Sequence, residues 1–69
     1  MIEIQKNSRE IIRIEATEFK GYPLISMRIY FREDPGGEWK PSRKGLTLRH
    51  HLVPELVQGI QELMEENHV

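Results

Sequence analysis

The sequence predicts an α+β domain in which an antiparallel sheet is followed by one C-terminal helix. The chain has 69 residues, which is enough for one domain, and we place that domain over residues 1–69. Up to about residue 48, apolar and polar residues alternate with period two, as they do in half-buried strands. From about residue 50, apolar residues recur every three or four positions, as they do along one side of a helix. We therefore expect the sheet at about residues 2–48 and the helix at about residues 50–66.

The first half of the predicted sheet begins with Ile2 and Ile4, which mark a short strand. The polar residues 6–8 favour a turn or bulge after it. Residues 9–19 form a longer alternating strand with an apolar face and a mainly polar face, namely Ile12, Ile14 and Ala16 against Arg13, Glu15, Thr17 and Phe19.

The second half of the sheet begins after a turn at Lys20-Gly21. Residues 22–32 alternate again, with Ile25, Met27, Ile29 and Phe31 on one face and Leu24, Ser26, Arg28, Tyr30 and Arg32 on the other. A turn is predicted at residues 34–37, because Pro fixes one central φ and Gly accepts a positive φ at the next position. Short strands near residues 38–40 and 46–48 complete the sheet.

The predicted helix carries a wide apolar stripe, made of Leu52, Val53, Leu56, Val57, Ile60, Leu63 and Met64. Pro54 is compatible with a helix that starts near residues 50–51, because the first turn leaves backbone N–H groups without intrahelical acceptors. One small core rarely supplies more than roughly 3–5 kcal/mol. A second copy of the helix would cover the rest of the stripe, with Leu56, Ile60, Leu63 and Met64 as the predicted dimer interface. The alternative is that the sheet alone covers it.

Several functional classes are disfavoured by composition. There is no Cys, and no set of catalytic residues or Gly-rich phosphate motif is legible, so we expect neither an enzyme nor a bound cofactor or metal. His51 and Glu55 lie one helical turn apart, but they have no clear third ligand, and we interpret His50-His51 as polar residues at the helix start. No apolar run is long enough for a signal peptide or membrane span, so we expect a soluble, cytoplasmic or nucleoid-associated protein.

The charge is divided unevenly along the chain. Residues 1–49 contain ten Lys and Arg against seven Asp and Glu, a net charge of +3. Residues 50–69 contain four Glu and no Lys or Arg, a net charge of −4. A polyanion would therefore bind the part that precedes the helix.

The segment richest in chemistry is Trp39-Lys40-Pro41-Ser42-Arg43-Lys44-Gly45. Its three cations suit phosphates, and an aromatic ring offers a stacking surface for unpaired bases. A solvated basic loop with Trp39 in the core explains the same residues, and the sequence leaves both interpretations open. Phe19 is likewise either a stacking platform or core, and Arg28 needs either solvent or an anion.

Three runs of sequence resemble the C-terminal domain of the transcriptional coactivator positive cofactor four family. They are Phe19-Lys20-Gly21, residues 24–31 and residues 40–48, and the likeness covers about residues 9–64. The resemblance implies a strongly curved four-stranded antiparallel sheet and a C-terminal helix in a homodimer that binds single-stranded DNA. It implies base stacking by Phe19 and Phe31. Trp39 is not part of the family pattern, and we expect it to be either an extra stacking group or core filler. It also implies contacts to phosphates and bases from Lys20, Arg28, Lys40, Arg43 and Lys44, and close backbone approach at Gly21 and Gly45.

The chain departs from the family pattern at several positions. Tyr22 and Thr17 stand where the family often has basic residues. The alternation puts Arg28 and Phe31 on opposite faces of one strand, so the resemblance requires a bulge or strong twist near residues 29–31 to bring both to the ligand.

We therefore expect a single-stranded-DNA-binding protein with little sequence preference, acting as a transcription co-regulator on unpaired DNA. RNA polymerase or other transcription proteins are further expected partners, and a stand-alone domain suggests a bacterial, archaeal or phage version. Two alternatives remain: a single-stranded RNA-binding or RNA-chaperone module, and a protein-interaction module of the transcription machinery.

Overall fold

The computed structural model describes residues 1–66 and contains one four-stranded antiparallel sheet followed by a helix. The strands are adjacent in chain order: β1 (Ile2–Asn7), β2 (Glu10–Phe19), β3 (Tyr22–Phe31) and β4 (Lys40–Arg49). A 3₁₀ turn at His50–Leu52 leads into the helix α1 (Val53–Glu66). The predicted fold class is confirmed, but the sheet is mildly and not strongly curved. The last three positions of the predicted domain, 67–69, lie outside the described residues.

The β2–β3 hairpin is the most regular part of the sheet. Its pairing runs without interruption from Glu10 opposite Phe31 to Phe19 opposite Tyr22. Two residues close it, and both have positive φ, 51° at Lys20 and 84° at Gly21. This is the backbone of a type I′ turn, whose twist matches the twist of the flanking strands. The turn fixes the register and therefore which side chains share a face.

The fourth strand is one ten-residue strand where the sequence pattern predicted two short ones. Its register with β3 changes in the middle, because Arg28 pairs with Gly45 whereas Tyr30 pairs with Pro41. The three residues 42–44 therefore lie opposite Ile29 alone, which makes a bulge in β4. We call residues 42–44 the β4 bulge.

The side chain of Ser42 organises the β4 bulge. Its Oγ donates a hydrogen bond to the carbonyl oxygen of Ile29 at 2.7 Å and accepts one from the backbone N–H of Lys44 at 3.1 Å. Both bonds use backbone groups that an irregular ladder leaves available. The bulge is thus a fixed feature of the sheet edge.

The first strand also ends in an irregularity, between Gln5 and Asn7, where a turn or bulge was predicted. Asn7 accepts a hydrogen bond from the N–H of Arg9 at 2.8 Å and donates one to Glu10 Oε1 at 2.9 Å. The bond from Asn7, and then the nearby charges of Lys6 and Lys44, hold the pKa of Glu10 below its ordinary value, although partial desolvation opposes the shift. Asn7 therefore joins the turn to the start of β2.

Strand pairing divides the sheet into two faces, since residues directly opposite each other point the same way. The apolar face carries Ile2, Ile4, Ile12, Ile14, Ile25, Met27, Ile29, Leu46 and Leu48. The opposite face, which we call the aromatic–basic face, carries Arg13, Phe19, Tyr22, Arg28, Tyr30 and Arg49. The predicted alternation of β2 and β3 is the alternation that the structure shows.

Little of this apolar surface is covered within one chain. Of the described residues, Ile11 is the one buried hydrophobic residue, with 5% of its surface exposed, and its pairing with Tyr30 places it on the aromatic–basic face. The helix has its main tertiary contact with the 3₁₀ turn and none of similar extent with any strand. The radius of gyration is 14.3 Å, whereas a compact chain of this length would have about 11 Å. The described chain is therefore flat and open, with extents of 43 × 35 × 18 Å.

Candidate nucleic-acid interface

The hairpin end of the aromatic–basic face carries an exposed aromatic ring beside a cation. Phe19, the last residue of β2, leaves 63% of its surface exposed. The Nζ atom of Lys20 lies 5.4 Å from the centre of the Phe19 ring. Of the two alternatives that the sequence left open, the structure places Phe19 outside the core, with a ring surface free to stack on a ligand.

Arg28 occupies the middle of the aromatic–basic face. Strand β4 can come close to Arg28 because Gly45 has no side chain. A Cβ at Gly45 would lie 2.5 Å from the carbonyl oxygen of Met27 and 2.9 Å from the Cα of Arg28. Arg28 Nη1 donates a hydrogen bond at 3.0 Å to the carbonyl oxygen of Ser42, in the β4 bulge. Gly45 and the bulge thus hold the Arg28 side chain across the surface of β4.

A second arginine of this face was not among the predicted site residues. Arg13 is the cross-strand partner of Arg28, and its guanidinium lies 3.9 Å from the centre of the Tyr30 ring. It forms an ion pair of 2.8 Å with Glu3 and a longer one of 4.0 Å with Glu15. Partial desolvation works against the charged form, but the contacts with Glu3 and Tyr30 outweigh it and raise the pKa of Arg13. The signal was present in the alternation of β2, which placed Arg13 on the same face as Phe19.

A cation and a ring were also missed beside the hairpin. The guanidinium of Arg49, at the end of β4, lies 4.4 Å from the centre of the Tyr22 ring. Arg49 is opposite Leu24 in the register, so it shares the aromatic–basic face with Phe19 and Arg28. No local pattern in the sequence joins positions 22 and 49, because the contact depends on the register of β3 with β4.

Three of the predicted site residues, Phe31, Lys40 and Lys44, do not lie on the aromatic–basic face. Phe31 pairs with Glu10 and Lys40, on the side of the sheet that carries the apolar face, and 37% of its surface is exposed. A bulge in β3 would have been needed to turn Phe31 toward Arg28. The pairing of β3 with β2 is continuous, and the bulge is in β4. Lys44 lines a shallow cavity of about 150 Å³ together with apolar-face residues, among them Ile12, Met27, Ile29 and Leu46. Arg43 is exposed in the β4 bulge.

Trp39 is neither a free platform nor a core residue. It is half-buried, and the guanidinium of Arg32 lies 4.4 Å from the centre of its ring. Arg32 also donates a hydrogen bond from Nε to the carbonyl oxygen of Ser8 at 3.0 Å. One side of the indole is thus occupied by a cation that the β1–β2 turn holds in place.

Two further expectations concern metal ions and membranes. Within residues 1–66, no group of three or more His, Cys, Asp or Glu is placed to hold a metal ion. In the same part of the chain, no helix is long and apolar enough to cross a lipid bilayer.

The structure defines a class of protein, a small sheet-and-helix domain that presents alternating cations and aromatic rings on one face of the sheet. Comparison with known proteins places the chain within that class. The family model of Transcriptional Coactivator p15 (PC4) matches residues 6–59. The chain belongs to this family, which confirms the resemblance seen in the sequence.

Individual relatives agree with this assignment. The chain is 33% identical over 58 residues to the RNA polymerase II transcriptional coactivator SUB1 of Saccharomyces cerevisiae, a match that covers 84% of this chain and 18% of the yeast protein. It is similar to the crystal structure of BPSL1147, a PC4 homologue from Burkholderia pseudomallei, with a TM-score of 0.80, 25% identity and coverage of 100% and 89% of the two chains. It also shares the fold of a bacteriophage T5 homologue of PC4, which is implicated in recombination-dependent DNA replication, with a TM-score of 0.74, 23% identity and coverage of 99% and 78%.

Proposed function

We propose that this protein binds single-stranded DNA through the aromatic–basic face, with little sequence preference, and acts as a homodimeric transcription co-regulator on unpaired DNA. The observation that carries the proposal is that Phe19 and Arg28 share one face of the sheet, with Lys20 beside the Phe19 ring, in a member of a coactivator family. The proposed activity is binding without catalysis.

The physical basis is a combination of stacking and charge neutralisation. An exposed ring such as Phe19 stacks on any base, which contributes roughly 1–3 kcal/mol per base and is tolerant of sequence. Lysines and arginines neutralise phosphates and release counterions, so the affinity depends on salt. Bases of a duplex are already stacked and paired, and therefore do not reach a ring on a sheet surface. The face thus favours unpaired over duplex DNA.

The proposed homodimer rests on apolar surface that one protomer leaves exposed. On α1, Val57 and Ile60 have 46% and 50% of their surface exposed. A helix of 14 residues is marginal in water without tertiary packing. A second copy would supply that packing, with Leu56, Ile60, Leu63 and Met64 as the proposed contacts.

The predicted residues on the other side of the sheet require a separate test. Lys40, Lys44 and Phe31 face away from Arg28, so their contacts with DNA depend on a path around the sheet edge or on the partner protomer. Lys44→Ala is expected to weaken binding to all sequences similarly and to reduce the salt slope by about one if Lys44 contacts a phosphate. An unchanged slope removes Lys44 from the interface.

The proposal is tested by fluorescence anisotropy with a labelled oligo-dT and a matched pair of lysine variants. Lys20→Gln removes a charge beside Phe19, whereas Lys6→Gln removes the same charge at the sheet edge, where Lys6 has an exposed pairing of 3.5 Å with Glu10. We expect Lys20→Gln to weaken binding and Lys6→Gln to leave it nearly unchanged, because Lys6 lies at the end of the sheet opposite the hairpin. The loss of its exposed ion pair should cost little stability. Equal effects of the two variants would argue for nonspecific charge attraction.

The two alternative functions give distinct results in the same assay. An RNA-binding module would prefer a matched oligo-U over oligo-dT in direct competition. A protein-interaction module would bind neither oligonucleotide at low salt. Either result would overturn the proposal.

A further inference from the structure

The end of the sheet beside the β2–β3 hairpin has a recess next to the predicted interface. Tyr22, Pro23, Arg49, His50 and His51 line it, and its volume is about 280 Å³. Arg49 covers one side of the Tyr22 ring, and Tyr22 still has 52% of its surface exposed. The recess is therefore an open site with a cation, an aromatic ring and two imidazoles.

The charge of this recess is not neutralised within the described part of the chain. Arg13 has Glu3 at 2.8 Å, whereas Arg49 forms no ion pair among residues 1–66. Its guanidinium lies over the ring of Tyr22. A guanidinium stacked on a ring keeps its N–H donors at the edge of the group, where they can form bidentate hydrogen bonds to a phosphate. An anion would complete the arrangement.

The position of the recess relates it to the rest of the face. Arg28 and Leu24, the partner of Arg49, are four residues apart on β3, which corresponds to about 13 Å along the strand. Phe19 and Tyr22 are opposite each other at the hairpin end of the same face. A nucleic-acid strand that runs from Arg28 toward Phe19 would therefore reach Arg49.

We propose that Tyr22, Arg49, His50 and His51 form a hairpin-end subsite for single-stranded DNA. Arg49 and the imidazoles hold a backbone phosphate, and the exposed part of the Tyr22 ring contacts the adjacent base. The inference rests on the proposed function and adds to it a contact point outside the residues that the family resemblance implies. It follows that strands too short to reach from Arg28 to Arg49 gain nothing from the subsite.

The experiment compares Arg49→Gln, Tyr22→Ala and the control Arg9→Gln in anisotropy titrations across a salt series. Arg9 is an exposed arginine in the β1–β2 turn, at the end of the sheet opposite the hairpin. Arg9→Gln therefore removes the same charge as Arg49→Gln, but far from the recess. Arg49→Gln should reduce the salt slope by about one. Tyr22→Ala should weaken binding roughly 5-fold or more, which corresponds to at least about 1 kcal/mol of stacking. Arg9→Gln should resemble the wild type, and circular dichroism of each variant establishes that it is folded.

A second pair of variants separates charge from stacking. Arg49→Lys keeps the charge but loses the planar group over the ring, so it should preserve the salt slope while it lowers the affinity. Tyr22→Phe keeps the ring and should bind as the wild type does. These effects are expected with an oligo-dT of about 20 nucleotides, longer than the roughly 4–16 nucleotides that small single-strand sites cover, and should disappear with a very short one.

The outcomes distinguish this inference from the proposed function. If Lys20→Gln weakens binding while Arg49→Gln matches the wild type in affinity and slope, the subsite is wrong and the function stands. If Arg9→Gln reduces the slope as much as Arg49→Gln does, the effect is one of net charge and the subsite is also wrong. If the wild-type protein binds no single-stranded DNA, the proposed function fails and the subsite fails with it.

Discussion

Replacing Gly45 by alanine should force β3 and β4 apart at the position that directly follows the β4 bulge. The added Cβ would lie 2.5 Å from the carbonyl oxygen of Met27 and 2.9 Å from the Cα of Arg28. Both are backbone atoms, so no side-chain rotation can relieve the contact and the strands themselves have to move. Overpacking of this kind costs about 1–3 kcal/mol, and we expect Gly45→Ala near the upper end of that range.

Gly59→Ala is the matched control for this variant. A Cβ at Gly59, in α1, would meet nothing within 4 Å. Gly59 is half-buried, and within one chain the substitution should stabilise the helix by up to about 1 kcal/mol, because alanine has the higher helix propensity. The two glycine variants should therefore change the free energy of unfolding in opposite directions.

The assay is urea unfolding followed by the fluorescence of Trp39, the single tryptophan. All variants are compared at one protein concentration, because the stability of the proposed dimer would depend on concentration. A core of this size rarely supplies more than roughly 3–5 kcal/mol. Gly45→Ala should therefore lose a large part of the free energy of unfolding, and its unfolding midpoint should move to a much lower urea concentration. A Gly45→Ala protein as stable as the wild type would refute the close approach of β4 to Arg28.

Three further predictions concern other parts of the molecule. Ile60→Glu places a charge in the proposed helix interface and should give a monomer in sedimentation experiments; a wild type that is already monomeric would contradict the dimer. Asn7→Ala should raise the pKa of Glu10 toward 4.5 in an NMR titration. Because its pKa is lowered in the folded state, Glu10 stabilises the fold at pH values above its unfolded-state pKa, and this contribution is lost as the pH falls through the folded-state pKa. The same Glu10 titration in Asn7→Ala and in the wild type would exclude the role of Asn7. Glu3→Gln releases Arg13 from its ion pair of 2.8 Å and should increase the salt slope for single-stranded DNA, whereas an unchanged slope would place Arg13 outside the interface.

The two faces of the sheet could be predicted from the sequence because strand side chains alternate with a fixed period of two. The pattern placed Arg28 and Phe31 on opposite sides of β3, and the register confirms this. The family resemblance implied that both side chains contact the ligand. For both to reach the same face, β3 would have needed a bulge or strong twist near residues 29–31. The irregularity occurs in β4 instead, where Ser42 satisfies the backbone groups.

The length of β4 could not be predicted from local signals. Pro41 and Gly45 are residues that usually interrupt strands, and the two predicted short strands, near residues 38–40 and 46–48, lie on either side of them. However, β4 is one of the two edge strands of the sheet, and an edge strand tolerates a residue without an N–H donor. Gly45 is required by the close approach of β3 and does not end the strand.

The cation–ring pairs of the interface also depend on register. Arg13 with Tyr30 and Arg49 with Tyr22 come from different strands, and no spacing along the chain identifies them. Tyr22 stands at a position where the family often has a basic residue. The structure places the guanidinium of Arg49 over that ring, so a positive charge is present there after all.

Binding of wild-type protein to labelled single-stranded and duplex DNA of the same sequence, measured by anisotropy across a salt series, tests the proposed function most directly. We predict that the single strand binds more tightly at every salt concentration, and that the logarithm of its association constant falls linearly with the logarithm of the salt concentration. Equal or tighter binding of the duplex, or no binding of the single strand at low salt, would contradict a function in unpaired DNA binding.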